Sequence, residues 1–213
     1  MKAIIFDLQG TLIENGIFPS PTKQVRFILN IRKEFHDYVP LFETTLMTAP
    51  HISLAEGFKS VAEAFNVRMT PELTERLIGM WNKNKLLSKP FQETIPLLEK
   101  LKNNYVLVLV ANIDCFTKDI ITKFNLQNYF DHIYLSCDVG MLKTNPEFFK
   151  NVIKDLGINP EDALMIGDSI DSDMVPASKA GIHTILLDRM NRQDYPEKIN
   201  SLEDINRLLK SED

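Results

Sequence analysis

The stretch Lys2-Ala-Ile-Ile-Phe-Asp-Leu-Gln-Gly-Thr-Leu12 constrains this chain more than any other. Ala3 to Phe6 is an unbroken apolar run, followed by an acid and then a glycine. Such a run reads as a strand buried on both faces, as in a parallel sheet. The strand stops at Asp7, which puts a carboxylate at its C-terminal end. Open α/β sheets bind their ligands outside the carboxyl ends of the strands. Gly10 permits a tight turn and the close approach of a ligand to the backbone. Thr11 adds a hydroxyl beside it.

Downstream of Leu12 the pattern is helical until Pro90. Ser20-Pro21 is an N-cap followed by proline at the first helical position. Phe27, Ile28, Ile31, Phe35 and Tyr38 then form one apolar stripe, with Pro40 ending that helix or opening a new one. His51 to Arg68 reads as a second helix, in which Ser53 and Glu56 have capping-box spacing and Leu54, Phe58, Val61 and Phe65 supply the stripe. Thr70-Pro71-Glu72 opens a third helix carrying Leu73, Leu77, Met80 and Trp81. The stripes read as packing within a helical bundle. Nothing in the sequence selects Trp81 or Arg76 as ligand contacts.

From Pro90 the pattern alternates. Strands are expected over Tyr105–Val110, His132–Ser136, Ala163–Ile166 and His183–Leu187. Helices are expected through Ile95, Leu98 and Leu101 with an end near Asn103-Asn104, over Thr117–Phe124, from Asn145-Pro146-Glu147 through Leu156, over Met174–Lys179 and over Ser201–Leu209, the last with Ile205 and Leu208 inward. Alternating strands and helices make a parallel α/β sheet. The helical block between the first two strands is too long for a crossover and reads as an inserted cap. The expected division is a core of residues 1–14 and 90–213 with a helical cap of 15–89.

With 213 residues, the chain is one large domain or a domain with an insert. A net charge of −5 and the lack of a basic run argue against nucleic acid and anionic membranes as partners. No apolar segment approaches a membrane span, and Asp7 interrupts any signal-peptide core. Cys115 and Cys137 lack metal spacing and read as reduced, buried thiols of a cytoplasmic protein. The histidines are scattered, which gives little support to a histidine metal centre or a Ser-His-Asp triad.

Polar groups punctuate four strand ends: Asp7 with Gln9 and Thr11, then Ala111-Asn112, then Lys143, then Gly167-Asp168-Ser169 with Asp171 and Asp173. Parallel strands present these ends on one edge, where the groups can converge. Two carboxylates, Asp7 and Asp168, with a lysine nearby suit Mg²⁺ and a phosphate, because magnesium takes oxygen ligands from one or two carboxylates, water and substrate phosphate. Lys143 is a point cation able to neutralise phosphate charge.

The arrangement resembles the haloacid dehalogenase-like hydrolase superfamily. The residues that carry the resemblance are Phe6-Asp7-Leu8-Gln9-Gly10-Thr11-Leu12, the strand leading to Ala111-Asn112, Met141-Leu142-Lys143-Thr144-Asn145-Pro146-Glu147, and Ile166-Gly167-Asp168-Ser169-Ile170-Asp171-Ser172-Asp173. Ala180-Gly181-Ile182, a strand and Arg189 fit the end of such domains. The resemblance spans the whole chain and implies a Rossmann-like sheet with a helical cap inserted after the first motif. It implies attack by Asp7 on the phosphorus of a small phosphorylated substrate, giving an aspartyl-phosphate that water hydrolyses. It implies Mg²⁺ held by Asp7, the Gln9 carbonyl and Asp168, with Asp173 ordering the site. Substrate phosphate would meet Gly10, Thr11, Ala111, Asn112 and Lys143.

Two positions depart from the family pattern. The family's phosphatases usually carry an acid/base aspartate where Gln9 stands, and an amide has no useful proton to give. A second departure places Ala111 where a hydroxyl usually binds phosphate. The expectation is therefore a phosphatase in which Gln9 replaces the acid/base aspartate, leaving weak turnover. Two alternatives remain: a non-catalytic phosphate-binding protein that kept the metal site, and a haloacid dehalogenase, whose pattern lacks the Gly167-Asp168 pair.

Overall fold

The computed structural model describes residues 1–205 and 209. Its centre is a six-stranded, wholly parallel sheet. In chain order the strands are β1 (Ala3–Asp7), β2 (Ile13–Glu14), β3 (Lys89–Pro90), β4 (Val106–Ala111), β5 (His132–Leu135), β6 (Ala163–Gly167), β7 (His183–Leu187) and β8 (Lys198–Ile199). The sheet order is β5-β4-β1-β6-β7-β8, while β2 and β3 pair separately. From β1 the chain builds outward on one side through β4 and β5, then on the other through β6 to β8. The strand order therefore reverses at β1, the kind of switch point where open α/β sheets form their binding crevice.

The period-two geometry of a strand sorts side chains onto two faces. Ile4, Phe6, Leu107, Leu109, Leu164 and Ile166 join one core. Ala3, Ile5, Val108, Val110, Ala163 and Met165 join the other. Helices α5 (Thr94–Leu101) and α6 (Ile120–Lys123) cover the first face. A four-residue helix, α7 (Ser136–Val139), follows β5. Helices α8 (Pro146–Leu156) and α9 (Val175–Lys179) cover the second face. The five expected strands are present. The edge strand β8 was not anticipated, because two residues carry no periodicity. The expected helix over Thr117–Phe124 shortens to α6, as Thr117 and Ile120 make tighter three-residue turns ahead of it. In the last expected helix, Leu202–Asp204 is a 3-10 turn and Ile205 is buried. Leu208 lies outside the described residues.

The insert carries α1 (Pro21–Ile28), α2 (Phe35–Met47), α3 (Leu54–Ala64) and α4 (Pro71–Leu87). It has its own apolar cluster, built on Tyr38, Phe42, Leu46, Phe58, Val61, Leu77 and Trp81, which also takes in Leu142 of the core. The single stripe expected from Phe27 to Tyr38 is broken. Asn30 takes a left-handed conformation that ends α1, and Phe27 is 79% exposed. Pro40 neither ends nor begins a helix but lies inside α2. Its missing N–H leaves the His36 carbonyl without a helical donor, and exposed His36 can bond to water instead.

The antiparallel pair Ile13↔Pro90 and Glu14↔Lys89 closes the neck of the insert. Further bonds seat it on the sheet. Trp81 Nε1 donates to Asp114 Oδ2 (3.1 Å) and Thr117 Oγ1 (3.0 Å). Ser136 Oγ donates to the Met47 carbonyl (2.8 Å). Trp81 is thus an anchor between insert and core, and burial raises the pKa of the Asp114 carboxyl it meets.

Candidate active site

Asp7 ends β1 with 6% of its surface exposed, and Asp168 follows β6 directly. Asp173 is fully buried in a π-helical turn, Ile170–Met174, which Ser169 caps by accepting from the Ser172 N–H. Such turns insert one extra residue per turn and recur at functional sites. Oxygen atoms of Asp7, Asp168 and Asp173 come within 4.8 Å of one another. Two glycines make that convergence possible. Gly10 has φ +88, and a Cβ there would collide with the Asp168 carboxylate. A Cβ on Gly167 would collide with Asp173.

Lys143, only 2% exposed, is the counter-charge. Its Nζ pairs with Asp7 Oδ1 and lies 2.6 Å from Asp173 Oδ1. Burial disfavours the ammonium, but Asp173 and Asp7 outweigh it and raise the Lys143 pKa. Asp173 Oδ2 also accepts from the Ser169 N–H (3.1 Å). Burial raises the pKa of Asp168 well above the ordinary range, and Asp7 and Asp173 add to it. The Asp173 pKa is likewise raised by burial and by Asp7, with Lys143 opposing. Three carboxylates around one ammonium leave an excess of negative charge. Asp7 Oδ2 is buried and has no hydrogen-bond partner among the described residues. An all-oxygen donor set with an orphaned carboxylate oxygen fits a hard divalent cation such as Mg²⁺.

A cavity of about 320 Å³ opens over this cluster. Core residues Asp7, Gln9, Ala111, Asn112, Lys143 and Asp168 line it from below. Ser20, Thr22, Lys23, Phe35, Val39 and Glu43 close it from the insert. Asn112 Oδ1 accepts from the Lys143 N–H (2.9 Å), and Asn112 Nδ2 donates to Glu43 Oε2 (2.9 Å). Gly10 stands behind the cavity against Asp168. Thr11 is fully buried; its carbonyl accepts from Arg189 Nη2 (2.8 Å), and its hydroxyl has no partner among the described residues. A larger groove of about 1110 Å³, lined by Phe18, Phe27, Ile31 and Arg76 among others, adjoins the site through Lys23 and Phe35 but has no carboxylate on its wall.

One expectation is corrected. The sequence suggests a phosphatase whose usual acid/base aspartate is replaced by Gln9. The acidic set that builds the centre is intact: Asp7, Asp168 and Asp173 are all present and converge. Gln9 has no place in that triad and lies on the cavity wall. The cysteines also differ from expectation, being free but half-buried, with burial pushing the Cys137 thiol up to about 11. Glu43 was missed. It sits one turn beyond Val39 on α2, so the helix presents both to the cavity; its only sequence signal is an acid among the buried positions Phe42, Leu46 and Met47.

Comparison with known proteins agrees with this geometry. The chain is 23% identical over 224 residues to a glyceraldehyde 3-phosphate phosphatase of Methanocaldococcus jannaschii, covering 99% of this chain and 98% of the relative. It is 29% identical over 228 residues to a pyrimidine 5'-nucleotidase of Escherichia coli, covering 97% and 96%. Among solved structures, the magnesium complex of a HAD family enzyme from Bacteroides thetaiotaomicron superposes with a TM-score of 0.67 at 25% identity, covering 97% and 98%. The family model for haloacid dehalogenase-like hydrolases matches residues 4–187, a span that takes in Asp7, Lys143, Asp168 and Asp173, and the chain belongs to that family.

Proposed function

We propose that the protein is a Mg²⁺-dependent phosphatase of small phosphorylated metabolites. The observation that carries this reading is the buried triad Asp7, Asp168 and Asp173 around Lys143, at the switch point of a parallel sheet. Asp7 is the nucleophile: one of its carboxylate oxygens attacks phosphorus, the leaving oxygen departs, and water then hydrolyses the aspartyl-phosphate. Lys143 holds Asp7 and Asp173 in place and offsets phosphoryl charge. Asn112 positions the phosphate beside Ala111, both on the cavity wall, while Gly10 and the buried Thr11 shape the turn that follows Asp7. Asp7, Asp168 and the Gln9 carbonyl would hold Mg²⁺, with Asp173 behind them, and the ion supplies charge stabilisation on a phosphoryl oxygen.

The cavity's volume lies at the small end for ligand sites, which suits a metabolite and not a polymer. The relatives named for glyceraldehyde 3-phosphate and pyrimidine nucleotides support the same class. Residues 1–14 and 90–213 act as the catalytic core and 15–89 as the cap; the β2–β3 pair at the neck supports that division. Among the described residues no helix is long and apolar enough to cross a membrane. We place the protein in the cytoplasm, on the support of its two free thiols.

The test is phosphate release from a panel of phosphomonoesters, with Mg²⁺ and with a chelator, and halide release from a haloacid beside it. Chelator-sensitive phosphate release without halide release is expected. Halide release, or no phosphate release from any ester, would overturn the reading.

A further inference from the structure

Among the described residues, Glu43 is the one carboxyl on the cavity wall that does not belong to the acidic triad. It reaches the site from α2 of the insert and is half-buried there. Asn112 fixes it. The Asn112 carbonyl oxygen is committed to the Lys143 N–H, so the amide's NH₂ faces Glu43 and donates to Oε2. Oε1 is the oxygen left for a ligand in the cavity. Burial pushes the Glu43 carboxyl up to about 7; Asn112 and Lys143 oppose the shift, and Asp173 and Asp7 add to it. A carboxyl that is part protonated near neutral pH is matched to proton transfer.

The reaction proposed above needs such a group. When phosphorus transfers to Asp7, the departing oxygen leaves as an alkoxide unless it receives a proton. Asp168 lies in the cation-binding cluster, and Lys143 is held by two carboxylates. The other polar side chains on the wall are the hydroxyls of Ser20, Thr22, Ser169 and Ser172 and the amides of Gln9 and Asn112, none of them an acid at neutral pH, and Lys23, whose ammonium lies over the Phe35 ring, 5.5 Å from its centroid.

We propose that Glu43 is the general acid and base of this reaction. Its carboxyl proton passes to the leaving oxygen as the P–O bond breaks and the Asp7–phosphorus bond forms, releasing the alcohol. The resulting carboxylate takes a proton from the water that attacks the phosphorus of the aspartyl-phosphate. Phosphate leaves, Asp7 is free again, and Glu43 is again protonated. Because Glu43 belongs to the insert, the proton step is available only with the insert seated over the sheet edge.

This inference rests on the phosphatase reading and is tested with two esters of similar shape. Phenyl phosphate has a poor leaving group that needs a proton, whereas p-nitrophenyl phosphate has one that does not. Glu43→Gln should lower kcat/KM for phenyl phosphate by about 10²-fold or more, the usual scale of general acid catalysis, and for p-nitrophenyl phosphate by less than about tenfold. It should also produce a burst of nitrophenolate, because hydrolysis of the aspartyl-phosphate loses its base. Equal losses on both esters, or no loss on either, would overturn the role of Glu43 while leaving the phosphatase reading standing. Failure of the parent to cleave either ester would overturn both. Should Glu43→Gln melt early, Glu43→Asp decides: it should show a steeper dependence on the leaving group than the parent, and an unchanged dependence would overturn the proposal.

Discussion

Lys143 Nζ lies 2.6 Å from Asp173 Oδ1, both side chains are buried, and the same ammonium pairs with Asp7. One cation thus joins the end of β1 to the π-helical turn after β6. Removing one partner of a buried pair leaves an uncompensated charge, which typically costs about 3–5 kcal/mol. Lys143→Met should therefore lower the unfolding free energy by about that amount in metal-free buffer, read by urea denaturation. Added Mg²⁺ should recover part of the loss, since a divalent cation among the acids replaces the missing charge. An unchanged denaturation midpoint would show that the pair carries no such burden.

Asp168 has no side-chain ion pair with Lys143 among the contacts described, and its carboxylate faces two others. It therefore repels its neighbours until a cation arrives. Asp168→Asn should leave the metal-free melting temperature equal to or above that of the parent, and should remove most of the rise that Mg²⁺ produces. For the parent, Mg²⁺ at a hundred times its Kd should add about 2.7 kcal/mol. Melting with and without Mg²⁺ reads both effects. An undiminished Mg²⁺-induced rise in the variant would place the ion elsewhere.

Glu43 gives a pH dependence with a definite sign. Its carboxyl is raised from 4.5 to about 7 in the fold, with burial the largest cause. A raised carboxyl favours the folded state when protonated, so its contribution is full below the unfolded value and is lost as pH rises through the folded one. Glu43→Gln cannot titrate. Metal-free melting temperatures of variant and parent should nearly coincide at pH 4.5 and diverge in favour of the variant by pH 8. The charged groups that act on Glu43, namely Lys143, Asp173 and Asp7, are present in both proteins. A constant offset across this range would remove the titration of Glu43 from the account.

Much of the fold was legible because it is written in local runs. Ala3–Phe6 and Leu107–Val110 are continuous apolar segments that lie buried in the sheet, and the acids that follow strands fall where a parallel sheet gathers its ends. The site's motif residues were legible for the same reason. What they do to each other was not: Lys143 meets Asp7 across 136 positions of the chain, and only the sheet order brings them together. Glu43 reaches Asn112 across 69 positions from a helix whose sequence shows only packing. The Gln9 reading weighed one position of a motif, whereas the centre is defined by which acids converge. Ile28 and Ile31 keep helical spacing across Asn30, so periodicity missed a break that a single left-handed residue makes.

The most direct test of the account is to stop the reaction in acid during the first turnover of a phosphate ester and map the phosphoryl group by mass spectrometry. The account predicts a phosphoryl group on the peptide containing Asp7, formed with Mg²⁺, missing with a chelator, and missing in Asp7→Asn together with phosphate release. Phosphate release by Asp7→Asn at the parent's rate, or a phosphoryl group on any other residue, would contradict it.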